Sequence, residues 1–107
     1  MRLVLCNCPP HEAEGLASRI IEAGLAACVN WIPAVRSMYM WDGERQIEEE
    51  TTLLCKVSEE HVPALVTALQ EWHSYDVPEV LALPVDTEHS SQAYVSWVRG
   101  VTPKAAG

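Results

Sequence analysis

Residues 28–57 read CVNWIPAVRSMYMWDGERQIEEETTLLCKV, and this stretch decides the fold. At its centre stands Asp42-Gly43, a strong hairpin-turn signal because both residue types tolerate a positive φ. The arms on either side, 28–41 and about 46–57, are rich in residues that favour strands. The sequence therefore predicts a hairpin about twice as long as the usual strand of about five or six residues. Its outer part projects beyond the core of the chain and needs another surface to cover it.

Strand and helix signals alternate on both sides of this hairpin. Residues 3–7 and 78–85 are short apolar stretches typical of buried strands. Apolar side chains recur at helical spacing in 13–24, 62–72 and 94–101. The order β-α-β-β-α-β, followed by a last helix, predicts a ferredoxin-like α+β fold, in which helices pack on one face of an antiparallel sheet.

The chain of 107 residues has the size of a single domain. No Gly/Ser linker, low-complexity run or internal repeat divides it. We therefore predict one ferredoxin-like domain over residues 1–102 and a C-terminal tail over residues 103–107.

Charge and cysteine content restrict the partners and the location that we expect. Fifteen acidic residues oppose seven basic ones, and the formal net charge of −8 makes nucleic acid an unexpected partner. The apolar run at the N-terminus is too short for a signal-peptide core or a membrane span, so no membrane partner is expected either. Without export the four cysteines should stay reduced, which predicts a cytoplasmic protein.

Several separated motifs resemble those of the CutA divalent-cation tolerance family. They are LAACVN at 25–30, SMYMWDG at 37–43, HSYDVPE at 73–79 and YVSW at 94–97. They follow one another in the family's order and span essentially the whole chain. The resemblance implies a homotrimer whose long hairpins pair across subunits and leave clefts between them. It also implies a response to divalent metal ions, most often copper, and it implies no reaction, so we expect a binding protein rather than an enzyme.

Soft metal ligands concentrate in Cys6-Asn7-Cys8-Pro9-Pro10-His11. Cys6 and Cys8 share one face of the predicted strand, and thiolate with imidazole suits copper or zinc. Against this, two or three ligands fall short of a closed tetrahedral set, and free cysteine often packs as a small buried apolar residue. Cys28 and Cys55 lie in strand patterns and are expected in the core.

The family resemblance assigns Cys6 and His73 as metal ligands. It pairs a cysteine at the end of the first strand with two adjacent histidines, and here Trp72, which cannot coordinate, replaces the first of them. The alternative is that Cys6 is inert and that His73 merely favours the end of a helix. We expect the first and last strands to lie on either side of the third. A site would then draw Cys6 and His73 from two subunits.

Other functional signals are weak. Glu48-Glu49-Glu50 is interpreted as a solvated charge run on the hairpin arm. An acylphosphatase-like hydrolase would need an anion-binding loop after the first strand, where Pro9 and Pro10 lack N–H donors. A copper chaperone of this fold would need C-x-x-C where this chain has C-x-C.

The leading prediction is a trimeric divalent-cation tolerance protein that binds copper or other divalent metals. The alternatives are a PII-like trimeric small-molecule-binding signalling protein and a ligand-free interaction scaffold.

Overall fold

The computed structural model describes residues 1–103, so residues 104–107 of the predicted tail lie outside the described residues. The predicted order of elements is confirmed, with a short 3₁₀ turn before each helix. The strands and helices are β1 (Arg2–Cys8), α1 (Ala13–Glu22), β2 (Cys28–Trp41), β3 (Glu44–Val57), α2 (Val62–Trp72), β4 (Val80–Pro84) and α3 (Gln92–Val101). Within residues 1–103, no helix is both long and apolar enough to cross a membrane.

The four strands form one antiparallel sheet in the order β2-β3-β1-β4. β1 therefore lies between β3 and β4, and the expectation that the third strand separates the first from the last was wrong. The connection through α2 carries the chain from β3 past β1, so β4 pairs with the edge of β1 that β3 leaves free. This arrangement is the ferredoxin-like sheet, and β2 and β4 are its edge strands.

The core lies between the sheet and the first two helices. Its buried side chains come from β1, β3, α1 and α2 and include Val4, Cys6, Cys8, Leu16, Ile20, Leu53, Cys55, Val57, Leu65 and Leu69. Cys55 is in the core as predicted, whereas Cys28 is only half-buried. Cys28 opens the edge strand β2 opposite Lys56, whose ammonium lies 3.9 Å from the Cys28 sulfur.

The centre of the opposite face of the sheet is apolar and largely open. Leu5 at its centre is flanked in register by Leu54 of β3 and Leu81 of β4. Leu81 and Leu83 are both exposed in the single chain. This face and the outer hairpin leave much apolar surface in contact with solvent.

The hairpin is as long as the sequence predicted. Its register runs from Cys28 opposite Lys56 to Trp41 opposite Glu44, with a bulge between Ile32 and Val35 that contains Pro33. Asp42 and Gly43 both have positive φ, at 50° and 78°, as a type I′ turn requires. The outer arms are exposed, and they account for the molecule's long axis of 45 Å.

Two glycines provide a matched test of backbone conformation. Gly24 follows the C-cap of α1 with a φ of +69°, and an added Cβ there would lie 3.0 Å from Cδ of Pro103. An added Cβ on Gly15, inside α1, would meet nothing within 4 Å. Gly24→Ala should lower the free energy of unfolding by about 1–2 kcal/mol, because L-residues are strained at positive φ. Gly15→Ala should raise it by about 0.5–1 kcal/mol through higher helix propensity. Chemical unfolding of both variants at one protein concentration checks this, and effects of the same sign would contradict it.

Candidate functional site

Cys6 and His73 are close together within one chain. Cys6 lies on β1 between Leu53 of β3 and Val80 of β4, and His73 is the residue that ends α2. Nε2 of His73 lies 2.8 Å from the carbonyl oxygen of Asn7, and the Cys6 thiol lies 3.8 Å from the same oxygen. The expectation that a single chain keeps the two residues apart was wrong, because β4 pairs directly with β1.

Both nitrogens of the His73 ring are occupied. The backbone N–H of Tyr75 donates to Nδ1 at 3.1 Å, so Nδ1 is an acceptor and the ring proton belongs on Nε2. Nε2–H then donates to the Asn7 carbonyl at 2.8 Å. In this arrangement the imidazole offers no free lone pair to a metal ion.

The Cys6 thiol is completely buried and neutral. Burial raises the pKa of Cys6 to about 12, and nearby thiols and carboxylates add to the shift. Burial likewise raises the pKa of Cys8 to about 11, and its thiol donates to the Thr51 carbonyl at 3.6 Å. The donor types at Cys6 and His73 suit a soft metal, but metal binding requires the thiol to lose its proton and the imidazole to give up a hydrogen bond.

The remaining candidates do not complete this site. His11 is exposed and its Nε2 lies 3.7 Å from Glu12. Trp72 packs against the core with the Arg19 guanidinium 4.1 Å from its ring. The segment from Cys6 to His11 therefore does not form a group of three metal ligands from Cys6, Cys8 and His11.

Within residues 1–103, one group of three His, Cys, Asp or Glu side chains has its ligand atoms within 4.8 Å of one another. It consists of Asp86, Glu88 and His89, all exposed. The Asp86 carboxylate accepts from the backbone N–H of His89 at 3.3 Å and lies 2.9 Å from its Nδ1. These contacts are those of a capped turn, which accounts for the group without a metal ion.

A cleft lies on the side of Asn7 that faces away from the core. It is an open cleft of about 980 Å³ between the outer hairpin and the segment that leads into β4. Its lining residues are Asn7, Ser37, Met38, Tyr39, Trp41, Gln46, Glu48, Glu50, Tyr75, Asp76, Val77 and Glu79. The backbone of Asn7 thus contacts His73, while its side chain contributes to the cleft.

Hydrogen bonds hold the polar groups of this cleft in place. The Asn7 amide donates to Glu79 at 2.7 Å and accepts from the Thr52 hydroxyl at 2.6 Å. The Tyr75 hydroxyl donates to Glu50 at 3.3 Å. Burial, followed by the Glu50 carboxylate, raises the pKa of Tyr75 to about 12, so this hydroxyl keeps its proton and remains a donor at neutral pH.

Sequence reasoning missed this cleft because Glu50 was interpreted as part of a solvated run. Glu50 is only 6% exposed, and that interpretation was wrong for this residue. The detectable signal was the period of the strand, since alternation places Glu48 and Glu50 on the face of β3 that also carries Thr52. Glu48 and Glu50 line the cleft from the hairpin side. Tyr75 and Glu79, which lie within the HSYDVPE motif at 73–79, line it from the opposite side.

A protein family, a curated relative and two solved structures that match this chain all carry the name CutA or CutA1. Residues 2–101 match the family described as CutA1 divalent ion tolerance protein. The divalent-cation tolerance protein CutA of Pectobacterium atrosepticum is 39% identical over 97 residues, which cover 90% of this chain and 86% of that protein. A structure described as the PII-like protein CutA of a Nostoc species, in apo form, superposes with a TM-score of 0.92 at 37% identity, covering 98% and 100% of the two chains. CutA1 from Oryza sativa gives a TM-score of 0.92 at 35% identity, covering 97% and 94%.

The burial of Cys6 predicts a loss of stability at alkaline pH. Native Cys6 keeps its proton up to about pH 12, whereas the unfolded chain loses it near the ordinary value of 9.0. Between these values the unfolded state binds fewer protons. The free energy of unfolding should therefore be unaffected by Cys6 below pH 9 and should fall above it, by up to about 1.4 kcal/mol per pH unit for each such thiol.

Chemical unfolding of wild type and Cys6→Ala from pH 7 to 11 measures this slope, and the variant should decline less steeply by one proton's contribution. Leu16→Ala is the control, because it removes buried volume without a thiol. It should lower stability at every pH and keep the wild-type slope. A Cys6→Ala slope equal to that of wild type would contradict a neutral, buried Cys6.

Proposed function

The chain belongs to the CutA1 divalent ion tolerance family, and we propose that it works as a homotrimeric binding protein in the response to divalent metal ions, without catalytic activity. Relatives at 38% and 39% identity are named for divalent-cation tolerance, which supports the metal-related role. All four cysteines are free, in keeping with a reducing cytoplasm.

The observation that carries the trimer is the uncovered edge of the sheet. β2 is an edge strand of 14 residues, and its unpaired backbone groups are a template for another strand. The outer arms add exposed apolar side chains, among them Met38, Met40, Trp41 and Ile47. A surface of this kind is typical of an interface. In a closed three-fold assembly, the β2 edge of each subunit would be covered by a neighbouring subunit, and no β2 edge would remain free.

Light scattering should therefore give three times the chain mass at micromolar concentration. Met40→Glu, which places a charge on the apolar arm, should shift the mass toward that of the monomer, because the carboxylate would be buried without a partner in the interface. Gln70→Glu on the exposed face of α2 adds the same charge and should leave the trimer intact. A monomeric mass for the wild type would overturn the trimer.

For the metal, we propose copper(I) bound by Cys6 and His73. Thiolate and imidazole are donors that copper(I) accepts, and the two groups already approach the same carbonyl oxygen of Asn7. Trp72 occupies the position of a third family ligand, so the proposed site has two protein donors. Binding has a cost, because the ring gives up its hydrogen bond to Asn7 and the thiol gives up its proton.

Competition titration of copper(I) against a strong chelator tests this site. Cys6→Ser and His73→Ala should both weaken binding, while Cys28→Ser, which changes a thiol outside the site, should not. Apparent affinity should rise about tenfold per pH unit below the pKa of Cys6, since one thiol proton is released for each ion bound. Equal affinity of wild type, Cys6→Ser and His73→Ala would remove both residues from the site.

The cleft favours a second function, small-molecule binding by a PII-like signalling protein. Its volume of about 980 Å³ suits a small organic ligand, and the Nostoc relative is described as PII-like. Binding at the cleft should survive Cys6→Ser, because Cys6 faces the core. A ligand-free interaction scaffold would bind neither copper nor a small molecule.

A further inference from the structure

We propose that the cleft beside Asn7 binds an organic cation, a molecule larger than a metal ion that carries one or more ammonium groups. This inference rests on the proposed small-molecule function and is independent of the copper site. It starts from Glu50, a carboxylate in the cleft wall that is only 6% exposed. Among residues 1–103 no Lys, Arg or His forms an ion pair with it.

A buried carboxylate without a counter-ion is costly, because it has lost much of its hydration and gained no opposite charge. The partner that the structure gives Glu50 is the neutral hydroxyl of Tyr75 at 3.3 Å. One neutral donor satisfies only part of what a carboxylate accepts. A cation that enters the cleft would supply the missing charge, so Glu50 marks where a positive group belongs.

The other charged side chains that line the cleft are negative as well. Glu48, Asp76 and Glu79 add three more carboxylates, and among residues 1–103 no Lys or Arg contributes to the lining. Glu79 is held in place by the Asn7 amide at 2.7 Å, which leaves its other lone pairs available. The charged groups of the described lining would therefore repel a phosphate or carboxylate ligand and attract an ammonium group.

Aromatic side chains complete the chemistry. Tyr39, Trp41 and Tyr75 line the cleft alongside the carboxylates. The faces of such rings attract cations, and aromatic side chains combined with acids are the usual means of holding an alkylammonium group. The rings also cover the methylene groups of an organic cation, which a hydrated metal ion lacks.

The spacing of the carboxylates disfavours a bare metal ion. Within the described chain, the group with three ligand atoms mutually within 4.8 Å is Asp86, Glu88 and His89, which lies outside the cleft. No three carboxylates among the described residues of the cleft therefore have ligand atoms close enough together to coordinate one ion as a set. A ligand with several atoms between its charges can bridge them.

Calorimetric titration of spermidine into the full-length protein, at physiological ionic strength, tests the proposal. Glu79→Gln and Glu48→Gln should each weaken binding about tenfold, since a charge-assisted hydrogen bond is lost while the shape is kept. Both residues are exposed, so neither change threatens the fold. Glu71→Gln, on the surface of α2 and outside the cleft, is the control with the same change in net charge and should bind like the wild type.

Equal weakening by Glu71→Gln and Glu79→Gln would mean general attraction to an acidic protein and would overturn the proposal. Stronger binding of magnesium ion than of spermidine, lost in Glu79→Gln, would also overturn it in favour of a metal site. Binding of pyrophosphate with no binding of spermidine would refute the cation class while small-molecule binding stands. Failure of all three probes would overturn both the inference and the small-molecule function.

Discussion

β1 is hydrogen-bonded on both sides, to β3 and to β4, and the placement of Cys6, His73 and the cleft beside Asn7 depends on this double pairing. Alternation along β1 sends Cys6 into the core and the side chain of Asn7 to the opposite face. One residue thus belongs to a dry, apolar environment and its neighbour to an acidic cleft. A register slip of one residue would exchange them, exposing the thiol and burying the amide.

The local patterns of the sequence were sufficient to predict the elements and the long hairpin. Each of these depends on a period of two or 3.6 residues, or on a turn such as Asp42-Gly43, which short-range sterics determine. Strand order has no such local signal, because it depends on how the α2 connection crosses the sheet. For this reason the proximity of Cys6 and His73 was predicted wrongly. The burial of Glu50 escaped prediction for a related reason, since its hydrogen-bond partner Tyr75 comes from a distant segment of the chain.

The two proposed sites suit different cations because they differ in hydration and in the softness of their donors. The Cys6 thiol is neutral in the folded chain, and the His73 ring is hydrogen-bonded at both nitrogens, so they become ligands only when a proton leaves and a hydrogen bond breaks. Such donors favour a soft ion that binds thiolate strongly enough to offset that cost. The carboxylates of the cleft are open to solvent except at Glu50, and they need no proton release. They attract any cation of suitable size, and the aromatic lining then favours organic ones.

Glu50 lies where the cleft meets the outer hairpin. Glu50 of β3 is paired with Val35 of β2, where the outer hairpin begins. Glu50 therefore lies next to the edge strand β2, which the proposed trimer would cover. Clustered acids in this region repel one another and oppose the compact state. A cation bound there would relieve the repulsion in the folded protein alone, because the unfolded chain does not hold these carboxylates together. Ligand binding would then stabilise the hairpin that carries the interface, and occupation of the cleft and strength of assembly would rise together.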